Sequence, residues 1–218
     1  MAACQNHGML SITPPSLSAI PVNLATDPAF SLCVYCGSRT GNDPVFVEAA
    51  KQVGQWIGRQ GGQLVFGGGR NGLMGVVADA TLNAGGRVVG IIPKALVDKE
   101  HAHTGCTELH VVDTMHQRKH GMAERADAFL ALPGGIGTFE ELFEIWTWRQ
   151  LGYHHKPVGL LNVNGYYDDL QKFFHSAVQG GLMDAWQLDL VHWGNATEPM
   201  LESLVKAVGA LSAEAAKL

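Results

Sequence analysis

Nowhere do the 218 residues gather lysine or arginine into a block, and charged residues make up only 16% of the sequence. A nucleic-acid footprint needs a concentrated basic face, so a formal net charge of −5 without such a face excludes nucleic acid as a partner. Any phosphate this chain binds is expected to be held locally, by backbone amides and one or two cations. No apolar stretch reaches the length of a membrane span, which removes the membrane from the expected partners too. Residues 1–30 contain no Lys or Arg and therefore lack the charged start of a secretory signal. With Pro14, Pro15, Pro21 and several serines they read as a mobile N-terminal tail ahead of one folded unit over residues 31–218.

Cysteine is scarce as well: Cys4, Cys33, Cys36 and Cys106. Cys33 and Cys36 form a C-x-x-C, but within an apolar run that reads as a strand. Side chains three apart on a strand point to opposite faces, so the sulfurs should not meet. A redox pair belongs at a helix start, and zinc needs a second ligand pair. Free thiols point to a reducing, cytoplasmic setting. His101-x-His103 and His154-His155 lack acidic or Cys partners at ligand spacing, so no metal and no cofactor is expected.

What is present is a large apolar fraction, 46%, arranged in short runs at 31–36, 63–66, 87–92, 108–112, 128–132 and 158–163. Each run is followed by a stretch with helical spacing, such as Phe46, Ala49, Ala50, Val53 and Ile57. Strands this continuously apolar are buried on both faces of a parallel sheet. The alternation predicts an α/β fold: a single doubly wound, Rossmann-like domain with a mainly parallel sheet flanked by helices. Residues 198–218 read as a terminal helix. Ligands in such folds bind beyond the carboxyl ends of the strands, which directs attention to residues 36–42, 67–75, 93–107, 113–119 and 133–141.

Three of these loops carry chemistry. Gly67-Gly-Gly-Arg-Asn-Gly72 matches G-x-G-x-x-G, yet the next strand ends Gly90-Ile-Ile-Pro93 without the acidic residue a dinucleotide requires. A backbone approach to a nucleotide, through Gly68 and Gly69, reads better than NAD binding or a plain tight turn. Pro133-Gly-Gly-Ile-Gly-Thr-Phe-Glu-Glu141 opens a helix, where amides point at an anion. It lacks the Gly-Lys-Ser/Thr ending of a triphosphate loop, so a monophosphate suits it. Thr138-Phe-Glu-Glu141 also has the spacing of a capping box, which leaves Glu141 open to a capping or a catalytic role. Met115-His-Gln-Arg-Lys119 puts positive charge at a helix start, against the macrodipole.

Together these motifs, with Cys36-Gly-Ser38, the stretch from Ile92-Pro-Lys94 to Glu100, and Lys156-Pro-Val-Gly-Leu-Leu-Asn162, resemble the Lonely Guy family of cytokinin riboside 5′-monophosphate phosphoribohydrolases. The resemblance spans about residues 32–190. It implies hydrolysis of the N-glycosidic bond of a purine nucleoside 5′-monophosphate, with Arg118 and Glu141 catalytic. It implies substrate contacts at Ser38, Gly68, Gly69, Glu100, Met115, Lys119, Gly134, Gly135, Ile136, Gly137, Thr138, Phe139, Glu140 and Thr147. It also implies a homodimer or a higher oligomer.

On this reading Glu141, taken to lie in the first helical turn, stays ionised and is a poor general acid. Arg118 orients it or the substrate, and Lys119 faces phosphate. Two alternatives stay open: a non-catalytic nucleotide or molybdenum-cofactor carrier on the same fold, and a pyridoxal-dependent lysine decarboxylase, for which Lys119 is the only lysine near a candidate site.

Overall fold

The computed structural model of the chain describes residues 27–215. Among the described residues, seven strands form one parallel sheet: β1 (Ser31–Tyr35), β2 (Gln63–Phe66), β3 (Arg87–Pro93), β4 (Glu108–Val112), β5 (Ala128–Ala131), β6 (Val158–Leu161) and β7 (Val191–Gly194). Their order is β4-β3-β2-β1-β5-β6-β7. The helices are α1 (Pro44–Arg59), α2 (Gly72–Asn83), α3 (Met115–Arg125), α4 (Ile136–Gln150), α5 (Asp168–Gln179), α6 (Ala185–Leu188) and α7 (Thr197–Ala215). The fold is the expected doubly wound α/β sheet. Winding proceeds outward from β1 through β2 to β4, then restarts at β5 on the other side. Loops leaving β1 and β5 therefore diverge and open a crevice at the carboxyl ends of the strands. No helix among the described residues is long and apolar enough to cross a membrane.

Period-2 alternation in β1 explains the two core layers. Leu32, Val34 and Cys36 pack with Ala50, Val53 and Ile57 of α1, Val77 of α2 and Leu204 of α7. Cys33 and Tyr35 face the other way, among Met122 of α3, Leu142 and Ile145 of α4, and Phe174 of α5. The C-x-x-C thus divides its sulfurs between two cores. Both thiols are free, and burial pushes both up, away from the reactive thiolate. Cys4 lies outside the described residues.

Local chemistry sets the helix starts. Asp43 caps α1 by accepting from Val45 N–H, with Pro44 supplying the preset φ of a first helical position. Gly54 and Gly58 let α1 press against α2: a Cβ at Gly54 would collide with the Val77 carbonyl.

Three sequence expectations need correction. The tail does not extend to residue 30, because Phe30 is buried in the core against Trp56, and Ala29 N–H donates to the Gly61 carbonyl. Most of the remaining tail lies outside the described residues. β6 ends at Leu161, because Asn162 turns the chain: its side chain accepts from Tyr167 N–H and donates to Asp168. β7 was not foreseen, since four residues with a half-buried His192 and Trp193 at a sheet edge give no sustained apolar run.

Candidate active site

Segments that follow β1 to β6 line an open cavity of about 600 Å³. One wall is the turn from β5 into α4. Gly135 occupies the N-cap position and supplies no capping side chain. The first backbone bond of α4 runs from Phe139 N–H to the Gly135 carbonyl, which leaves the amides of Ile136, Gly137 and Thr138 without intrahelical acceptors. A Cβ built on Gly135 or Gly137 would meet no protein atom within 4 Å. The space beside both residues belongs to the cavity, so the missing side chains leave room for a ligand. Unclaimed amides, the positive end of a helix and open space together make an anion cradle.

Thr138 sits inside the first turn, not at the N-cap. The capping box that the Thr138–Glu141 spacing left open is therefore not formed, and Glu141 falls in the second turn. A capping box forms instead at α3: Thr114 Oγ1 accepts from Gln117 N–H, and Gln117 Oε1 accepts from Thr114 N–H. That cap stabilises the helix start carrying Met115, Arg118 and Lys119 in spite of its positive charge.

Glu141 and Arg118 share the cavity wall. Burial raises the Glu141 carboxyl from its ordinary 4.5 to about 7; the Arg118 guanidinium opposes the shift, while Glu140 and Glu100 add to it. The expectation of a permanently ionised Glu141 is therefore corrected: the dipole field weakens beyond the first turn, and desolvation wins. Nor does Arg118 bond to Glu141. Arg118 is 5% exposed; its Nη2 donates to the Gly67 carbonyl at 2.7 Å and to Glu100 Oε2 at 3.0 Å. Its Nε–H is buried without a partner, and such an orphan donor suits an acceptor that arrives with a ligand.

The glycine-rich loop after β2 serves this arginine. A Cβ on Gly67 would collide with the Arg118 guanidinium, Gly68 (φ +77°) lies on Ile91 and Ile92, and Gly69 abuts Met74 and Glu100. None of the three lines the cavity. Their absent side chains admit protein groups: the Arg118 guanidinium, the β3 backbone and the Glu100 side chain.

The other sequence-selected residues divide. Ser38, Glu100, Met115, Gly134, Ile136 and Glu140 line the cavity. Lys119, Phe139 and Thr147 do not. Lys119 is ion-paired with Glu140 and Glu144, Phe139 packs on Phe143 and Tyr167, and the Thr147 hydroxyl donates to the Phe143 carbonyl on an exposed face. His103 is buried against Asp79, a structural pairing.

Tyr166 and Phe46 are cavity residues that sequence reasoning missed. They meet edge-on with centroids 5.5 Å apart, and the Tyr166 hydroxyl donates to the Gly134 carbonyl at 2.6 Å, bracing the cradle. Arg39, Thr40 and Gly41 lie in a loop the fold rule had indicated, although nothing singled them out. Leu73, Met74 and Leu96 complete an apolar side, to which Met115 and the 85%-exposed Ile136 contribute.

Residues 74–204 match the family described as "Possible lysine decarboxylase". Cytokinin riboside 5′-monophosphate phosphoribohydrolase LOG7 of Arabidopsis thaliana is 51% identical over 152 residues, 70% of this chain and 70% of the relative. LOG2 of the same plant is 49% identical over 154 residues, covering 71% and 72%.

The chain belongs to the Lonely Guy family.

Among solved structures, the molybdenum cofactor carrier protein of Chlamydomonas reinhardtii superposes with a TM-score of 0.64 at 20% identity, over 84% of this chain and 99% of that one. The molybdenum cofactor binding protein of Rippkaea orientalis gives 0.59 at 22%, over 84% and 98%. These likenesses show the fold alone. Lonely Guy members and the carriers share a sheet, so function has to be argued from the site.

Proposed function

We propose that this Lonely Guy protein hydrolyses the N-glycosidic bond of a purine nucleoside 5′-monophosphate, with adenine or an N6-substituted adenine as base, releasing free base and ribose 5-phosphate. One observation carries the reading: α4 offers open, uncapped amides at its start and a carboxyl five residues later, both on one cavity. At a 1.5 Å rise per residue the backbones of Ile136 and Glu141 lie about 7–8 Å apart along the helix axis, which leaves room for a sugar whose phosphate sits in the cradle and whose anomeric carbon reaches Glu141.

Cleavage builds positive charge on the anomeric carbon and ring oxygen. Ionised Glu141 stabilises that charge in a partly dry pocket. Its pKa of about 7 also matches a general base, which works best near the operating pH; it takes a proton from the attacking water. Arg118, fixed by Glu100 and Gly67, offsets charge on the departing purine, which takes a proton from solvent in exchange for the one Glu141 removes from water and so leaves as the free base. Phosphate held by the amides of residues 136–138 supplies remote binding energy that positions the sugar. The Met115–Leu96–Leu73 side supplies an apolar surface for the base.

A carrier has no chemical reason to keep a half-buried carboxyl and a guanidinium, Glu141 and Arg118, on one cavity wall. For the decarboxylase reading, the cavity wall contains no lysine among the described residues, and Lys119 is engaged by two carboxylates. The three free thiols Cys33, Cys36 and Cys106 favour a cytoplasmic setting. Exposed Phe143, Phe173 and Trp186 favour a homodimer or larger assembly.

The test is incubation with AMP, isopentenyl-AMP, GMP and adenosine, followed by chromatography for free base. Release from the adenine monophosphates, with adenosine poorly cleaved, is expected; equal turnover of AMP and adenosine would refute the role given to phosphate.

A further inference from the structure

The charges around the cavity are unevenly committed. Arg118 is tied to Glu100. Lys119 lies off the wall with Glu140 and Glu144, and Lys94 is paired with Asp113. Arg39, in the loop between β1 and α1, lines the same cavity with an exposed side chain. Among the described residues it makes no side-chain hydrogen bond and no ion pair, so it is the cation on the wall left without a carboxylate.

Its loop is fixed where it meets the cradle. Gly37 N–H donates to the Pro133 carbonyl at 3.1 Å, and a Cβ on Gly37 would stand 3.4 Å from the Gly134 Cα. On the other side, Leu73 N–H donates to the Gly37 carbonyl, and the Ser38–Arg39 backbone abuts Gly72. This braced base sets Arg39 two residues from the touching point of the two loops, on the same cavity as the free α4 amides. Those amides carry only partial positive charge, while Glu140 and Glu141 stand on the same helix. A phosphate dianion there needs a full countercharge, and the guanidinium's planar fork suits phosphate oxygens.

We propose that Arg39 closes over the phosphate opposite the α4 amides and acts as a specificity-determining residue, setting preference for the 5′-phosphorylated substrate over the nucleoside. The proposal rests on the reading that the α4 cradle holds phosphate. It does not require that the bond be cleaved.

Binding of ribose 5-phosphate and of ribose, measured by calorimetry on the wild type, Arg39→Ala and Arg39→Lys, separates these claims. Loss of a charge-assisted bond predicts a rise of about tenfold or more in the Kd of ribose 5-phosphate for Arg39→Ala. Lys should recover part of it, since it keeps the charge and loses the fork. In turnover, kcat/KM for AMP should fall by a similar factor, mainly through KM, with the AMP-to-adenosine preference narrowing accordingly. If ribose 5-phosphate binds but AMP is never cleaved, the hydrolase reading fails while the binding series still judges Arg39. An unchanged ribose 5-phosphate Kd in folded Arg39→Ala would overturn the proposal.

Discussion

Replacing Glu141 by Gln should stabilise the fold and abolish most of the chemistry, with the stabilisation depending on pH in a defined direction. Burial lifts the Glu141 carboxyl from 4.5 to about 7. A group raised in the folded state adds stability that is fully present below about pH 4.5, falls as pH rises, and is gone above about pH 7. At about 1.36 kcal/mol per unit, wild type loses at most about 3 kcal/mol over that window that an uncharged Gln does not lose. The figure is an upper bound because the side chain keeps partial solvent contact, which screens its charge. For a domain of this size, 3 kcal/mol corresponds to roughly 6–12 °C in Tm. Urea titrations of both proteins at pH 4.5, 6, 7 and 8 should show a gap that opens with pH in favour of Glu141→Gln. A parallel pair of curves, or a variant less stable at pH 8, would show that the carboxyl is not pushed toward neutrality and would remove the argument for a general base. A functional residue held at the expense of stability is the expected trade-off.

Three further outcomes follow from the same contacts. For wild type, log kcat/KM with AMP should climb with pH and level off above about 7, where Glu141 is ionised; activity falling through that range would identify a general acid instead. Glu100→Gln leaves the buried Arg118 without its counter-ion, which should cost about 3–5 kcal/mol in urea unfolding and shift that pH limb downward, since Glu100 helps raise Glu141. Gly67→Ala forces the Arg118 guanidinium off its carbonyl; kcat should drop about 100-fold, the scale of a small misplacement of a catalytic group, with circular dichroism unchanged.

The sheet was legible because its central strands are buried on both faces: Leu64, Val65 and Phe66, or Phe129 and Leu130, have no polar alternation to obscure them. β7 was illegible because it is short and lies at an edge. That the glycine-rich turn from Pro133 to Thr138 opens a helix could be read, since it follows an apolar strand and precedes helical spacing, and α4 does start there. The position of Glu141 in that helix could not be read. Ser/Thr-x-x-Glu spacing fits a capping box with Thr138 as N-cap, whereas the N-cap of α4 lies three residues earlier, at Gly135. This shift changes the electrostatics, moving the carboxyl out of the dipole's reach and into a desolvated wall. Partners brought together by the fold were equally hidden. The Arg118–Glu100 pair joins α3 to the segment after β3, and the Lys119–Glu144 pair joins α3 to α4; no local pattern connects either pair. Tyr166 reaches Gly134 from 32 residues away.

The most direct measurement is a crystal structure of Glu141→Gln soaked with AMP. Phosphate oxygens seated on the amides of Ile136, Gly137 and Thr138, with C1′ between the substituted side chain at position 141 and Arg118, is the predicted result. Phosphate bound elsewhere, or a base lying in the glycine turn with C1′ remote from both groups, would contradict the account.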